Sequence, residues 1–374
     1  MRRHGILFCR WFSTFIGRVP RVAKIKPDSG EKLFRVLPRQ VDETIAAALR
    51  EWLPGKSWSL VRRLLKARQV TINGNLCVDA GRRLRLSDIV KLLSRSAPAP
   101  PDELDIRIVY LDTHVVLVEK PAGMTTTRHS EEQDMSPRRR QLQPTLDELL
   151  PRLIAKAEAR GRKGIKDKAG KDSDKRGKSE NRSKGSRRIK SVRAVHRLDR
   201  ETSGLLVFAR TAEAQKHLEH QFRAHSTRRR YVAVARGAVA SQTIESRLVR
   251  DRGDGRRGST TLPNVGRRSV THVRAIERLG DYTLIECRLE TGRTHQIRIH
   301  LSERGHPLCG DKVYGQPLFR AGEPDTSGAP RLALCAVELG FVHPVTGEAM
   351  HFETPPPRDF TDFVRRLRTT KKTT

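Results

Sequence analysis

The sequence predicts an α+β protein in two parts, a small α/β module followed by a large, mostly antiparallel mixed-sheet domain. Three observations lead there. Residues 192–342 carry several alternating or continuously apolar strand-like runs with few helical stretches between them, unlike the regular strand–helix alternation of a doubly wound sheet. Residues 38–96 combine two short amphipathic helices with a hairpin signal. Between the two regions, residues 97–103 read as a Pro-rich linker. A chain of 374 residues is long enough for both parts.

The first 37 residues form a basic extension. Residues 1–25 contain no acid and interleave aromatics with Arg, so a disordered basic arm, an interfacial segment and an organelle-targeting segment are all open. In the module at 38–96, Ile45, Leu49 and Leu53 have helical spacing, and Pro54-Gly55 ends that helix. Ser59 is a candidate cap for a second helix, with Leu60, Val61, Leu64 and Leu65 as its apolar face. Arg62, Arg63, Lys66 and Arg68 lie largely on the other side, a pattern that fits either a solvated face or a phosphate-binding one. Asn73-Gly74, between VTI and NLC, predicts a tight hairpin turn, because both central positions need positive φ. LRLSDIVKLL adds a further strand.

The large domain is predicted over residues 104–360. It opens with two strands in IRIVYLDTHVVLVEKPAG, then a helix over 145–159 with Thr145 and Glu148 at capping-box spacing. Residues 161–190 hold 13 Lys or Arg against 4 Asp or Glu and almost nothing apolar, which predicts a disordered basic insertion spanning about 155–192. Beyond it, GLLVFAR reads as a strand and TAEAQKHLEHQF as a helix with Ala214, Leu218 and Phe222 on one side. RRYVAVARG and YTLIECRLE alternate, with Ile285, Cys287 and Leu289 sharing a face. HQIRIHL reads as a short helix ending near Gly305, and LALCAVELGFVHP as a strand. Residues 361–374 read as a basic C-terminal tail.

Charge narrows the function. A formal net charge of +33 favours phosphate-rich partners, nucleic acid above all. No long apolar run suggests a bilayer span. Five scattered cysteines argue against a disulfide framework and fit a reducing compartment, so a cytoplasmic location is expected. His306 with Cys309, and His295 with His300, have ligand-like intervals but lack the further ligands of a zinc site, so no metal is expected. There is no dinucleotide fingerprint or phosphate loop, and no nucleotide or other cofactor is expected. A monomer is the expectation for want of an oligomerisation element.

Two clusters concentrate polar residues beside strand ends, where catalytic loops often sit: HRLDRETSG at 196–204 and ETGRTHQIR at 290–298. An Asp flanked by two Arg favours its charged form, which suits a nucleophile better than a general acid. A structural Arg–Asp tie would have the same signature.

HRLDRETSGLLVFAR resembles the central motif of the RluA family of pseudouridine synthases. VVLVEKPAGM, RRYVAVARG, LETGRTHQIRIHLSERGHPLCGDKVYG and RLALCAVELGFVHPVTGE resemble further motifs of that family, in its order. Residues 38–96 resemble the S4 RNA-binding domain that many members carry. Met124 after the PAG turn and Cys335 in place of a frequent His depart from the pattern, as does the basic insertion.

The resemblance implies an RNA pseudouridine synthase with catalytic residues Asp199, Tyr231 and Arg298. It implies that Arg197 enters the RNA stack as the target uridine leaves. The implied RNA-binding set is Arg197, Arg293, His295 and Gln296 in the large domain and Arg62, Arg63, Lys66 and Arg68 in the small module. Structured RNA is the expected partner, with large-subunit ribosomal RNA or its precursor particle as the expected target. Transfer RNA as target, and a catalytically silent ribosome assembly protein, are the alternatives.

Overall fold

The computed structural model describes residues 32–73, 75–86, 88–97, 101–128, 144–169, 191–252, 256–315 and 325–370. Residues 1–31 and 170–190, on which the targeting reading and most of the insertion fall, lie outside the described residues.

The small module consists of β1 (Lys32–Arg35), α1 (Ile45–Trp52), α2 (Trp58–Lys66), β2 (Val70–Ile72), β3 (Asn75–Leu76) and β4 (Ile89–Leu92). Its four strands run in the order β1-β4-β2-β3. The module therefore begins at least six residues earlier than expected from 38, because Lys32–Arg35 pairs antiparallel with β4. The hairpin signal holds: Ile72 faces Asn75, and Asn73 has φ 51°. The cap of α2 is Ser57, not Ser59; the Ser57 hydroxyl accepts from the Leu60 N–H at 3.2 Å. Ile45, Leu49, Leu53, Val61 and Leu65 close one core beneath the sheet.

The large domain carries β5 (Arg107–Leu111), β6 (Val115–Lys120), α3 (Leu146–Ala169), β7 (Arg193–Ala194), β8 (Ser203–Ala209), α4 (Ala212–Arg223) and β9 (Arg228–Arg236). Then follow β10 (Gln242–Val249), β11 (Gly258–Thr260), β12 (Arg267–Leu279), β13 (Tyr282–Leu289), α5 (Gln296–Glu303), β14 (Leu334–Val342), β15 (Ala349–Glu353) and α6 (Arg358–Thr370). The strands form one sheet in the order β11-β10-β12-β13-β9-β14-β8-β6-β5, with β15 on β14 and β7 on β8. Among the described pairings only β8 with β14 is parallel.

Every residue of β8 is buried because the sheet is covered on both faces there. Leu206 and Phe208 point into a core with α3 and α5, while Leu205 and Val207 meet Ala214 and Leu218 of α4. A strand buried on both sides must read as a continuous apolar run.

Two expectations need correction. The helix expected over 145–159 continues to Ala169, so the first part of the basic stretch is helical; Ala, Lys, Arg and Glu are good helix formers. Glu148 does accept from the Thr145 N–H at 3.2 Å, one half of the expected capping box. The supposed tail is largely the helix α6, with Phe360, Phe363, Val364 and Leu367 buried against Val234, Leu279 and Ala333. That spacing of three, four and seven is an amphipathic stripe.

Gly204 sits where β8 meets β14, at φ +117°; a Cβ there would lie 2.0 Å from the Ala336 carbonyl oxygen. Gly204→Ala is expected to cost more than about 3 kcal/mol, because backbone rather than a flexible side chain blocks the methyl group. Soluble yield and the urea midpoint of the variant measure it; a midpoint near that of the parent protein would refute the clash.

Candidate active site

The loop between β7 and β8 carries Asp199, and the turn after β6 holds that loop in place. The ammonium of Lys120, 1% exposed, donates to the carbonyls of Pro121 at 2.9 Å, Met124 at 2.8 Å and Arg200 at 3.1 Å. Burial pushes this lysine down to about 7, against the opposing pull of Glu201 and Asp199. The Gly123 N–H donates to the Arg200 carbonyl at 2.7 Å, and the Arg200 Nε returns a bond to the Gly123 carbonyl at 2.9 Å. The Thr126 hydroxyl donates to the Leu198 carbonyl at 2.8 Å. Asp199 therefore rests on a backbone fixed from both sides, with 16% of its side chain exposed.

Arg298 comes from α5. Its Nη1 lies 3.5 Å from Asp199 Oδ2, while Nε and Nη2 each donate to Asp311 at 2.8 Å. The expected Arg–Asp pairing is present, but the closer partner is Asp311, which the sequence reading did not single out. Burial opposes the Arg298 charge, yet the hydrogen bonds and charge of Asp311 outweigh it and raise its basicity. Burial likewise opposes the Asp311 carboxylate, and the same guanidinium overrides it and holds the carboxyl below its usual range. Asp311 also accepts from the N–H groups of Val313 at 2.8 Å and Tyr314 at 2.9 Å. Gly310, at φ +74°, lets the chain pass the Arg331 carbonyl just before Asp311; a Cβ would lie 2.0 Å from that oxygen.

Tyr231 lies on β9 opposite Cys287 and Ala336, 9% exposed. Burial raises its phenol; Arg229 works against this, and the charge of Asp199 adds to it. The ring is therefore neutral at ordinary pH and suited to packing against a base. His295, the residue before α5, has φ 60° and ψ 17°. Its Nδ1 is 2.9 Å from the Tyr314 hydroxyl and its Nε2 3.9 Å from Asp199 Oδ1.

The residues expected to contact RNA divide. Arg197 is exposed and has no hydrogen bond or ion pair among the described residues. Arg62, Arg63 and Lys66 are exposed and, with Ser59 and Ala67, line a shallow concavity on α2. Arg293 is half-buried near the Arg268 carbonyl. Three of these side chains are engaged within the fold. Arg68 has φ 57° and its Nε donates to the Ala97 carbonyl at 2.9 Å, so it ties the end of the module rather than extending the basic face. Gln296 is 3% exposed, and its carboxamide is consumed by Thr291, Arg293, Val270 and Thr271. His295 lies beside Asp199 with 26% of its side chain exposed.

Among the described residues Glu338, His351 and Glu353 stand close enough to share a cation, but Arg230 already bridges Glu338 and Glu353. His306 Nδ1 lies 3.0 Å from the Arg236 carbonyl and Cys309 is buried in the α6 core, so the spacing of these two serves packing.

Three histidines are held neutral by burial: His196 is pushed down to about 3, His295 to about 4 and His300 to about 4. In the unfolded chain each returns to near 6.5. Between pH 6.5 and 4 the unfolded state therefore binds protons that the folded state refuses, and stability falls as pH falls. The urea midpoint is expected to drop steadily as pH falls from 6.5 toward 5. A flat midpoint down to pH 5 would contradict the burial of these rings.

The sequence profile described as RNA pseudouridylate synthase matches residues 114–303. The chain is 32% identical over 339 residues to the uncharacterized RNA pseudouridine synthase YlyB of Bacillus subtilis (strain 168), an alignment covering 88% of this chain and 94% of that one. It is 33% identical over 318 residues to ribosomal large subunit pseudouridine synthase D of Zymomonas mobilis subsp. mobilis, covering 80% and 89%. It is 31% identical over 355 residues to the protein of the same name from Xanthomonas campestris pv. campestris, covering 92% of each. The profile match runs through the loop that holds Asp199 and the helix that holds Arg298, and the chain belongs to the RNA pseudouridylate synthase family, as an enzyme of the RluA type that isomerises uridine in RNA.

Proposed function

We propose that this enzyme forms pseudouridine in large-subunit ribosomal RNA, with Asp199 as the catalytic carboxylate. The target is supported by relatives named for the ribosomal large subunit and by the net charge of +33. The observation that carries the catalytic reading is a partly exposed carboxylate set 3.5 Å from a buried guanidinium that a second carboxylate already anchors.

The reaction breaks the N1–C1′ bond, turns the uracil and joins C5 to C1′; N1 gains a hydrogen and C5 loses one. Asp199 acts as nucleophile at this ribose, dividing the exchange into two steps. Arg298 orients the carboxylate and stabilises charge that develops on uracil. Tyr231 packs against the base. Burial raises its phenol, so the ring stays protonated and has no basic oxygen to offer, and packing is its main role. The target uridine must leave its stack, which costs a few kcal/mol, and the exposed, unengaged Arg197 fills the gap.

The small module acts as an S4-type RNA-binding domain. Its support is a four-stranded sheet with two helices, the second of which presents Arg62, Arg63 and Lys66. These contacts grip phosphates and set position rather than base identity. The buried thiols of Cys77, Cys287, Cys309 and Cys335, none in a disulfide, fit a reducing, cytoplasmic setting. No helix among the described residues is long and apolar enough to cross a membrane.

The test is tritium release from transcripts made with C5-tritiated uridine. Release from large-subunit ribosomal RNA and not from transfer RNA supports the proposed target. Release from transfer RNA alone keeps the chemistry and overturns the target. Tight binding without release from either RNA, or from partly assembled ribosomal particles, overturns the catalytic reading in favour of an assembly role.

A further inference from the structure

Asp199 has a donor near each of its oxygens: Arg298 Nη1 at 3.5 Å from Oδ2 and His295 Nε2 at 3.9 Å from Oδ1. The second neighbour is part of a closed circuit. Tyr314 bonds His295 Nδ1 at 2.9 Å, its ring lies 5.2 Å from the Arg298 guanidinium carbon, and its N–H donates to Asp311, which holds Arg298. Asp199 is thus reached from α5 by two routes that share Asp311 and Tyr314.

We propose that His295 is a positioning residue for the reaction, held by Tyr314 in the tautomer that presents Nε2–H to Asp199 Oδ1. The tautomer follows from the neighbours. A neutral imidazole carries one N–H. Were it on Nδ1, the bare Nε2 lone pair would face a carboxylate and repel it. With Tyr314 donating to Nδ1, the hydrogen sits on Nε2 and points at Asp199. Burial raises the Tyr314 phenol, which keeps its proton available, and burial holds the His295 ring neutral. His295 also adopts a left-handed backbone conformation, uncommon outside glycine, which turns its ring back toward the loop of Asp199. At 3.9 Å the contact is longer than a hydrogen bond; entry of the uridine expels water from the carboxylate and shortens it. Arg298 and His295 together then fix the plane of the carboxylate, leaving its remaining lone pairs to the ribose carbon.

This inference rests on Asp199 being the acting carboxylate, so an Asp199→Ala control runs beside the test. His295→Asn suits the left-handed backbone while being too short to reach Asp199. Tyr314→Phe keeps the ring over Arg298 and removes only the hydroxyl. With saturating ribosomal RNA transcript, His295→Asn is expected to lower kcat roughly tenfold or more with KM within a factor of two. Tyr314→Phe should lower kcat less, and the double variant should be no slower than His295→Asn, because Tyr314 acts through His295. Retention of kcat by His295→Asn within a factor of two, whatever KM does, overturns the positioning role. Losses that multiply in the double variant overturn the link between the two residues. Activity surviving in Asp199→Ala would instead overturn the reading on which the inference stands.

Discussion

Asp199→Asn is expected to abolish tritium release while leaving RNA binding and folding close to those of the parent protein. Amide and carboxylate have nearly the same shape, so the loop keeps its contacts to Lys120, Gly123 and Thr126, none of which uses the Asp199 side chain. Arg298 keeps its paired bonds to Asp311, so no buried charge is left without a partner. What is lost is the nucleophile, and removal of a nucleophile typically costs 10⁴-fold or more, about 5 kcal/mol or more in the barrier. Binding measured by filter retention and a thermal melt accompany the tritium count. Release above one part in a hundred of the parent rate would remove Asp199 from the role assigned to it. Loss of binding would mean that the carboxylate shapes the RNA site rather than the chemistry.

Asp311→Ala is expected to damage both stability and activity. It strips the buried Arg298 of its two shortest bonds and frees the N–H groups of Val313 and Tyr314. Removing one partner of a buried ion pair costs about 3–5 kcal/mol, because the remaining charge is left uncompensated. The guanidinium is then free to turn wholly toward Asp199 or toward bulk water, and either change spoils its placement beside the uracil. Asp311→Asn should recover much of the stability, since it still accepts hydrogen bonds, but little of the activity. Urea denaturation read beside single-turnover tritium release separates the two effects. An alanine variant with parental stability would show that Arg298 does not depend on Asp311.

Much of the architecture was legible where local and tertiary signals agree. The run at 203–209 is apolar throughout because both faces of β8 are covered, and the Asn73 turn follows from its own backbone requirement. The capping error at α2 arose because Ser57 and Ser59 offer the same chemistry, and only the start of the helix decides between them. The terminal helix was hidden by its charge: Phe360, Phe363, Val364 and Leu367 are a clear stripe, yet Arg358, Arg365, Arg366 and Arg368 dominated the reading. At the site, Asp199 and Arg298 were legible through motif resemblance. Asp311 and Tyr314 were not, because nothing in a sequence says that a carboxylate 13 residues after an arginine turns back onto it. Gln296 and Arg68 show the converse, polar side chains that look available in sequence and are spent on the fold.

The bonds joining residues 120–126 to residues 198–200 have a consequence for the length of chain between them. They act as the stem of a large closed loop, whose near part, through Leu146, Leu150 and Ile154, is packed into the core. Once a stem is shut, lengthening the loop costs little; each doubling adds only about 0.6 kcal/mol of closure entropy. The reaction centre is thereby insulated from the size of whatever occupies residues 170–190. A small folded domain with neighbouring ends could be grafted there as a reporter or an affinity handle, and the carboxylate of Asp199, borne on the stem itself, would keep its place.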